Sequence, residues 1–81
     1  VKPAEDSMID RQIRKDIRGL IDTLPEEQKE VLILRQYCEL SFKEIADHTN
    51  VSINTALGRM RYALINMRKT MEEKKISLTL N

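Results

Sequence analysis

Eighty-one residues leave room for one domain, and 22 of them are Val, Ile, Leu or Phe, enough apolar side chains to exclude a disordered tail. The net charge of +1 joins two unlike parts: residues 1–51 carry 8 Lys/Arg against 11 Asp/Glu, and residues 52–81 carry 6 against 2. Such polarity turns the last third toward a polyanion and the acidic remainder toward something else.

Cys38 is the single cysteine, which excludes an intramolecular disulfide and suits a reducing cytoplasm. With no His paired to it, it reads as a packed or half-buried thiol. No apolar run approaches a membrane span, and the N-terminus does not resemble a signal peptide. The chain opens on Val, as expected of a piece of a longer protein.

Four helices are legible. The first, over about 7–22, has Asp6 or Ser7 as its cap and sets Ile9, Ile13, Ile17, Leu20 and Ile21 at helical spacing. The second, over 25–37, begins with Pro25 at the first helical position and the acids Glu26 and Glu27 beside the positive end of the dipole. Its run Val31-Leu32-Ile33-Leu34 is too dense for one face, so part of it is expected to meet a partner.

The third helix, 42–48, follows Ser41-Phe42-Lys43-Glu44, the pattern of a capping box. Ile45 and Ala46 belong inside. Asn50 tolerates the left-handed conformation that leaves a helix sharply, and Ser52 caps a fourth helix over 52–73. A short turn with a left-handed pivot and a small residue, Ala46, under the next helix make a helix-turn-helix. Short bundle hairpins share that geometry. The tail 76–81 alternates like a strand but has no partner strand. The fold expected is all-α, a compact four-helix domain of the winged-helix-like class with no wing evident.

Along the fourth helix Ala56, Met60, Ala63, Leu64, Met67 and Met71 fall on one stripe, read as core with methionines filling gaps. Opposite stand Thr55, Gly58, Tyr62, Ile65 and Lys69, flanked by Asn54 and Arg61, with Arg59 and Arg68 at the sides. A solvated face normally mixes Glu with Lys, yet no acid occurs from Ser52 to Met71. Each side chain there has a use on DNA. Arg grips guanine, Asn grips adenine, and Thr offers a methyl to thymine. Gly58 weakens the helix by about 1 kcal/mol relative to Ala; close approach of the backbone to a groove is its functional reading, and drift at an exposed site is the alternative. The candidate DNA-binding residues are therefore Ser52, Asn54, Thr55, Gly58, Arg59, Arg61, Tyr62, Arg68 and Lys69. Arg61, nearer the outward ridge, is expected to read a base and Arg59 to hold the backbone.

Leu24-Pro25-Glu26, Val31-Leu32, Leu40-Ser41-Phe42-Lys43-Glu44-Ile45-Ala46 and Val51-Ser52-Ile53-Asn54-Thr55 together resemble region 4 of bacterial sigma factors, most of all the extracytoplasmic-function group of the sigma-70 family. The likeness covers roughly residues 16–70. It implies a domain that reads the upstream (−35) promoter element while bound to the β flap of RNA polymerase core, in a family many of whose members are held by an anti-sigma factor. It also implies a preceding region 2. Ser52, Thr55 and Arg59 match the family pattern, and Ala56 keeps an apolar role. Leu57 stands where a cation is usual, Gly58 where Ser is common, and Tyr62 where Arg is common, so Arg61, Arg68 and Lys69 are the cations left to compensate.

Two other readings stay open. Response-regulator output domains share the Glu-Ile-Ala sequence before the reading helix, although Leu57 and Arg59 replace their usual Lys-x-His. A protein-interaction module could keep the shape without DNA. Catalysis, a cofactor and a metal are not expected: His48 is the only histidine, suited to a helix-end hydrogen bond, and Glu26, Glu27 and Glu30 read as dipole partners and a solvated face.

Overall fold

The computed structural model describes residues 8–74, which form four helices and the turns between them: α1 (Met8–Asp22), α2 (Glu26–Gln36), α3 (Phe42–Thr49) and α4 (Ile53–Lys74). No strand occurs among the described residues. The caps expected at Asp6 and Ser7 and the tail 76–81 lie outside them.

Each turn is held by groups that the helix ends leave over. After α1 the amide and hydroxyl of Thr23 both donate to the Leu20 carbonyl, at 3.1 and 2.6 Å, and the Leu24 amide donates to Ile21 at 3.0 Å. Leu24 is thereby carried inward, to 7% exposure. Pro25 is the N-cap of α2 and not its first helical residue: its φ of −58° would fit a helix, but its ψ of 151° is extended. Its carbonyl accepts from the amides of Gln28 and Lys29. Glu26 and Glu27 occupy the first turn as expected.

The α2–α3 turn is pinned by Arg35. Its Nη1 donates to the Leu40 carbonyl at 2.9 Å, and its guanidinium lies 4.8 Å from the Phe42 ring centre, within cation–π range. Glu39 adopts φ 57° there. Cys38, expected to be packed, is exposed, because this turn carries it past the end of α2 onto the surface.

Both halves of the capping box are present: Ser41 Oγ accepts from the Glu44 amide at 3.0 Å, and Glu44 Oε1 accepts from the Ser41 amide at 2.7 Å. The bond from the Ser41 amide, then that with the Ser41 side chain, hold the Glu44 carboxyl below its ordinary 4.5. Asn50 is left-handed, with φ 63° and ψ 42°, and the Val51 amide reaches back to the Ala46 carbonyl at 3.0 Å. His48 is exposed, and in that last turn it is the Thr49 hydroxyl, a short side chain beside the backbone, that donates to Ile45. The imidazole does not take the helix-end bond expected of it.

α4 packs against all three other helices. Val31, Ile45, Ala56 and Ala63 are fully buried in one cluster with Ile21, Leu24, Leu32, Ala46 and Met60. Burying a Val-, Leu- or Ile-sized side chain is worth about 1.5–3 kcal/mol, and Val31 and Ile45 are wholly enclosed. Two apolar expectations fail. Leu64 is 51% exposed, because the seam centres on Ala56 and Ala63 and swings Leu64 to its edge, while Met67 and Met71 are half-buried. Ile9 is also 51% exposed: only the later turns of α1, ending in Leu20 and Ile21, reach the other helices.

Ala46, at 2% exposure, has no room to grow. Ala46→Leu should therefore lower stability by about 1–3 kcal/mol in a thermal or urea melt through overpacking; an unchanged melt would show the helix crossing to be slack. A carboxyl whose folded pKa is depressed stabilises above its ordinary pKa and loses that contribution as pH falls through the folded value. Glu44→Gln keeps the capping-box geometry without the titration. Between neutral pH and well below 4.5, wild type should therefore lose more melting temperature than Glu44→Gln.

Candidate nucleic-acid interface

With Ala56, Met60 and Ala63 turned inward, the 100° step of the helix decides what the first half of α4 shows to solvent. Asn54, Thr55, Leu57, Arg61, Tyr62 and Ile65 are exposed, and Gly58 and Arg59 are half-buried. The sequence-derived site thus divides. Asn54, Gly58, Arg61 and Tyr62, at helical spacing, share one outward patch, with the Arg61 guanidinium 6.0 Å from the Tyr62 ring centre. Arg59 sits at the rim of the seam. Arg68 and Lys69 are exposed but begin two turns beyond Arg61, about 10 Å along the axis. They extend the exposed side of α4 beyond that patch.

At the start of α4 the hydroxyls are already engaged. Ser52 Oγ accepts from the Thr55 amide at 3.1 Å and donates to Thr55 Oγ1 at 3.0 Å. A serine hydroxyl has one proton, so Ser52 is spent on the cap. Thr55 keeps its own proton and its methyl for an outside partner. The amides of Ile53 and Asn54 precede the first intrahelical bond, from Ala56 to Ser52, and face outward at the positive end of the dipole. That is the arrangement in which a helix start accepts a phosphate.

One contact that steadies the patch was not foreseeable from spacing. Asn66 Nδ2 donates to Gln28 Oε1 at 2.7 Å, tying the middle of α4 to the first turn of α2 across 38 residues. Periodicity reports helix faces, and no local pattern marks a polar pair so far apart. The surface ion pairs Lys43–Asp47 at 3.7 Å and Lys29–Asp22 at 3.6 Å are weak by comparison. Among the described residues, no three of His, Cys, Asp and Glu converge as metal ligands would, and no helix is long and apolar enough to cross a membrane.

Comparison with known proteins accords with this geometry. Residues 14–64 match the family model described as "Sigma-70, region 4". The chain is 44% identical over 57 residues to RNA polymerase sigma factor YlaC of Bacillus subtilis, which covers 65% of this chain and 33% of that protein. It is 29% identical over 68 residues to the ECF RNA polymerase sigma factor SigK of Mycolicibacterium vanbaalenii, covering 84% of this chain and 34% of that one. The chain thus spans about a third of the length of these relatives. No solved structure gives a significant match.

A Cβ built on Gly58 meets nothing within 4 Å. The domain itself therefore gives no reason for glycine at this point in the helix. Gly58→Ala should raise stability by about 1 kcal/mol while weakening duplex binding, if DNA is what comes close to this backbone. Melting temperature and duplex affinity measured together check this; a gain in both would remove Gly58 from the interface.

Proposed function

The chain belongs to the sigma-70 region 4 family, and from that premise we propose that it is the C-terminal domain of an extracytoplasmic-function sigma factor, directing transcription initiation in the cytoplasm by reading the upstream (−35) promoter element. The observation that carries the proposal is the outward face of α4. A rigid seam holds that helix, its start offers free amides, and Asn54, Thr55, Arg61 and Tyr62 project with no carboxylate from Ser52 to Met71.

In this reading α4 lies in the major groove. The first-turn amides and Arg59 take phosphate oxygens, while Asn54 and Arg61 reach base edges, where each bidentate pair discriminates by about 1–3 kcal/mol. Arg68 and Lys69, farther along the helix, follow the backbone. α3 crosses above, held in register by the left-handed Asn50 and the Ser52 cap.

The remaining partners belong to the same proposal. An apolar groove of about 330 Å³ opens among Ile17, Ile21, Leu32, Tyr37, Leu64 and Met67, on the part of the molecule built by α1, α2 and the later turns of α4. It suits an apolar helix of RNA polymerase, the β flap. An anti-sigma factor that covered either this groove or the α4 face would silence the domain. Protein interaction without DNA is the second reading, favoured by exposed Leu57, Leu64 and Ile65.

The experiment is binding to promoter duplexes by the protein assembled with polymerase core. With about four phosphate contacts, log K should fall against log salt with a slope of about −3.6. Arg61→Ala should cost about 1–3 kcal/mol on the matched duplex and relax preference at one base pair. Arg59→Ala should weaken all duplexes alike and reduce the slope by about 0.9. Salt-independent binding, or unchanged sequence preference in both variants, would favour the protein-interaction reading.

A further inference from the structure

Leu57 is 43% exposed on the same flank of α4 as Arg61, one turn before it, although Met60 beside it is 8% exposed. It is not part of the buried cluster. Its side chain lines, with those of Phe42, Met60, Leu64 and Ile65, an open apolar depression whose rim carries Arg61 and Arg68. An apolar strip edged by two cations, on a helix face without acids, fits a surface that is anionic overall and carries apolar groups, and Leu57 is the member of the strip nearest the start of the helix. The major groove of DNA is such a surface: phosphates border it, and the thymine 5-methyl is the apolar group on its floor.

We propose that Leu57 is a specificity-determining residue which packs on a thymine 5-methyl group in the promoter's upstream element. The inference rests on the promoter-reading proposal above and deepens it by naming the group that Leu57 recognises. Leu57 precedes Arg61 by four residues, or about 6 Å along the helix axis, which keeps the thymine within a few base pairs of the guanine proposed for Arg61. A leucine half in water gains by covering a methyl, at about 0.8 kcal/mol per buried methyl-sized group, or roughly fourfold in affinity. A cation at the same position would gain on every sequence alike. A leucine here therefore favours one base pair, where a cation would favour DNA in general.

The test uses the protein assembled with polymerase core and a duplex that this assembly has selected from a randomised pool. Each thymine in the upstream element is replaced in turn by uracil, which removes only the methyl. Wild type should lose about threefold to fivefold in affinity at a single position. Leu57→Ala and Leu57→Lys should bind the thymine and uracil duplexes equally. The lysine variant should bind both more tightly than the alanine variant, which shows that α4 is still seated. If selection yields a preferred sequence but uracil is tolerated everywhere, or if the same loss persists in Leu57→Ala, the assignment of Leu57 falls and promoter reading stands. If selection yields no preferred sequence, both fall.

Discussion

Ala56 and Ala63, fully buried seven residues apart with Met60 between them, press one side of α4 against the other helices, and the rest of the molecule depends on that seam. A domain this small has little core to spare, and here the helix that completes the core is also the helix that faces outward. The two duties divide by angle. Small side chains on the inner side let α2 and α3 come close, and the opposite side is set in orientation without any further element. Gln28 and Asn66 add a polar tie at the point where the alanine seam gives way to the half-buried methionines.

The approach to α4 is governed just as closely. Asn50 supplies the left-handed residue, the Val51 amide closes back on Ala46, and Ser52 spends its hydroxyl on the first turn of α4. At the start of α3 the capping box does the same work with Ser41 and Glu44. Together they leave α3 and α4 one relative orientation. The direction in which Asn54 and Arg61 project depends on that orientation. Arg35, bonded to Leu40 and stacked on Phe42, extends the same control to the start of α3.

Much of this was legible in the sequence because it is local. Ser41-x-x-Glu44, Asn50 and Ser52 each act within four residues, and their chemistry names their conformation. The core was legible as far as periodicity reaches: Val31, Leu32, Ile45, Ala46, Ala56, Met60 and Ala63 are all buried. Periodicity could not say where a stripe stops. Leu64 shares the phase of the seam's edge but lies outward, and Ile9 continues the apolar face of α1 past the last helix that could cover it. Cys38 and Pro25 depart from expectation for a related reason, since residue type suggests burial or a helical start, while the turn around each decides. Within the candidate site, the outward patch followed from the 100° step. That Ser52 is consumed by its own cap, and that Leu57 shares a depression with Phe42 and Arg61, required coordinates.

Photocrosslinking decides whether the first half of α4 faces DNA or protein. A benzoylphenylalanine at Asn54, on the outward first turn, is compared with one at Ile33, on α2, in the protein assembled with polymerase core on promoter DNA. The probe at Asn54 should crosslink to the upstream promoter element and the probe at Ile33 should not. Crosslinks from Asn54 to polypeptide alone would show that this face meets protein.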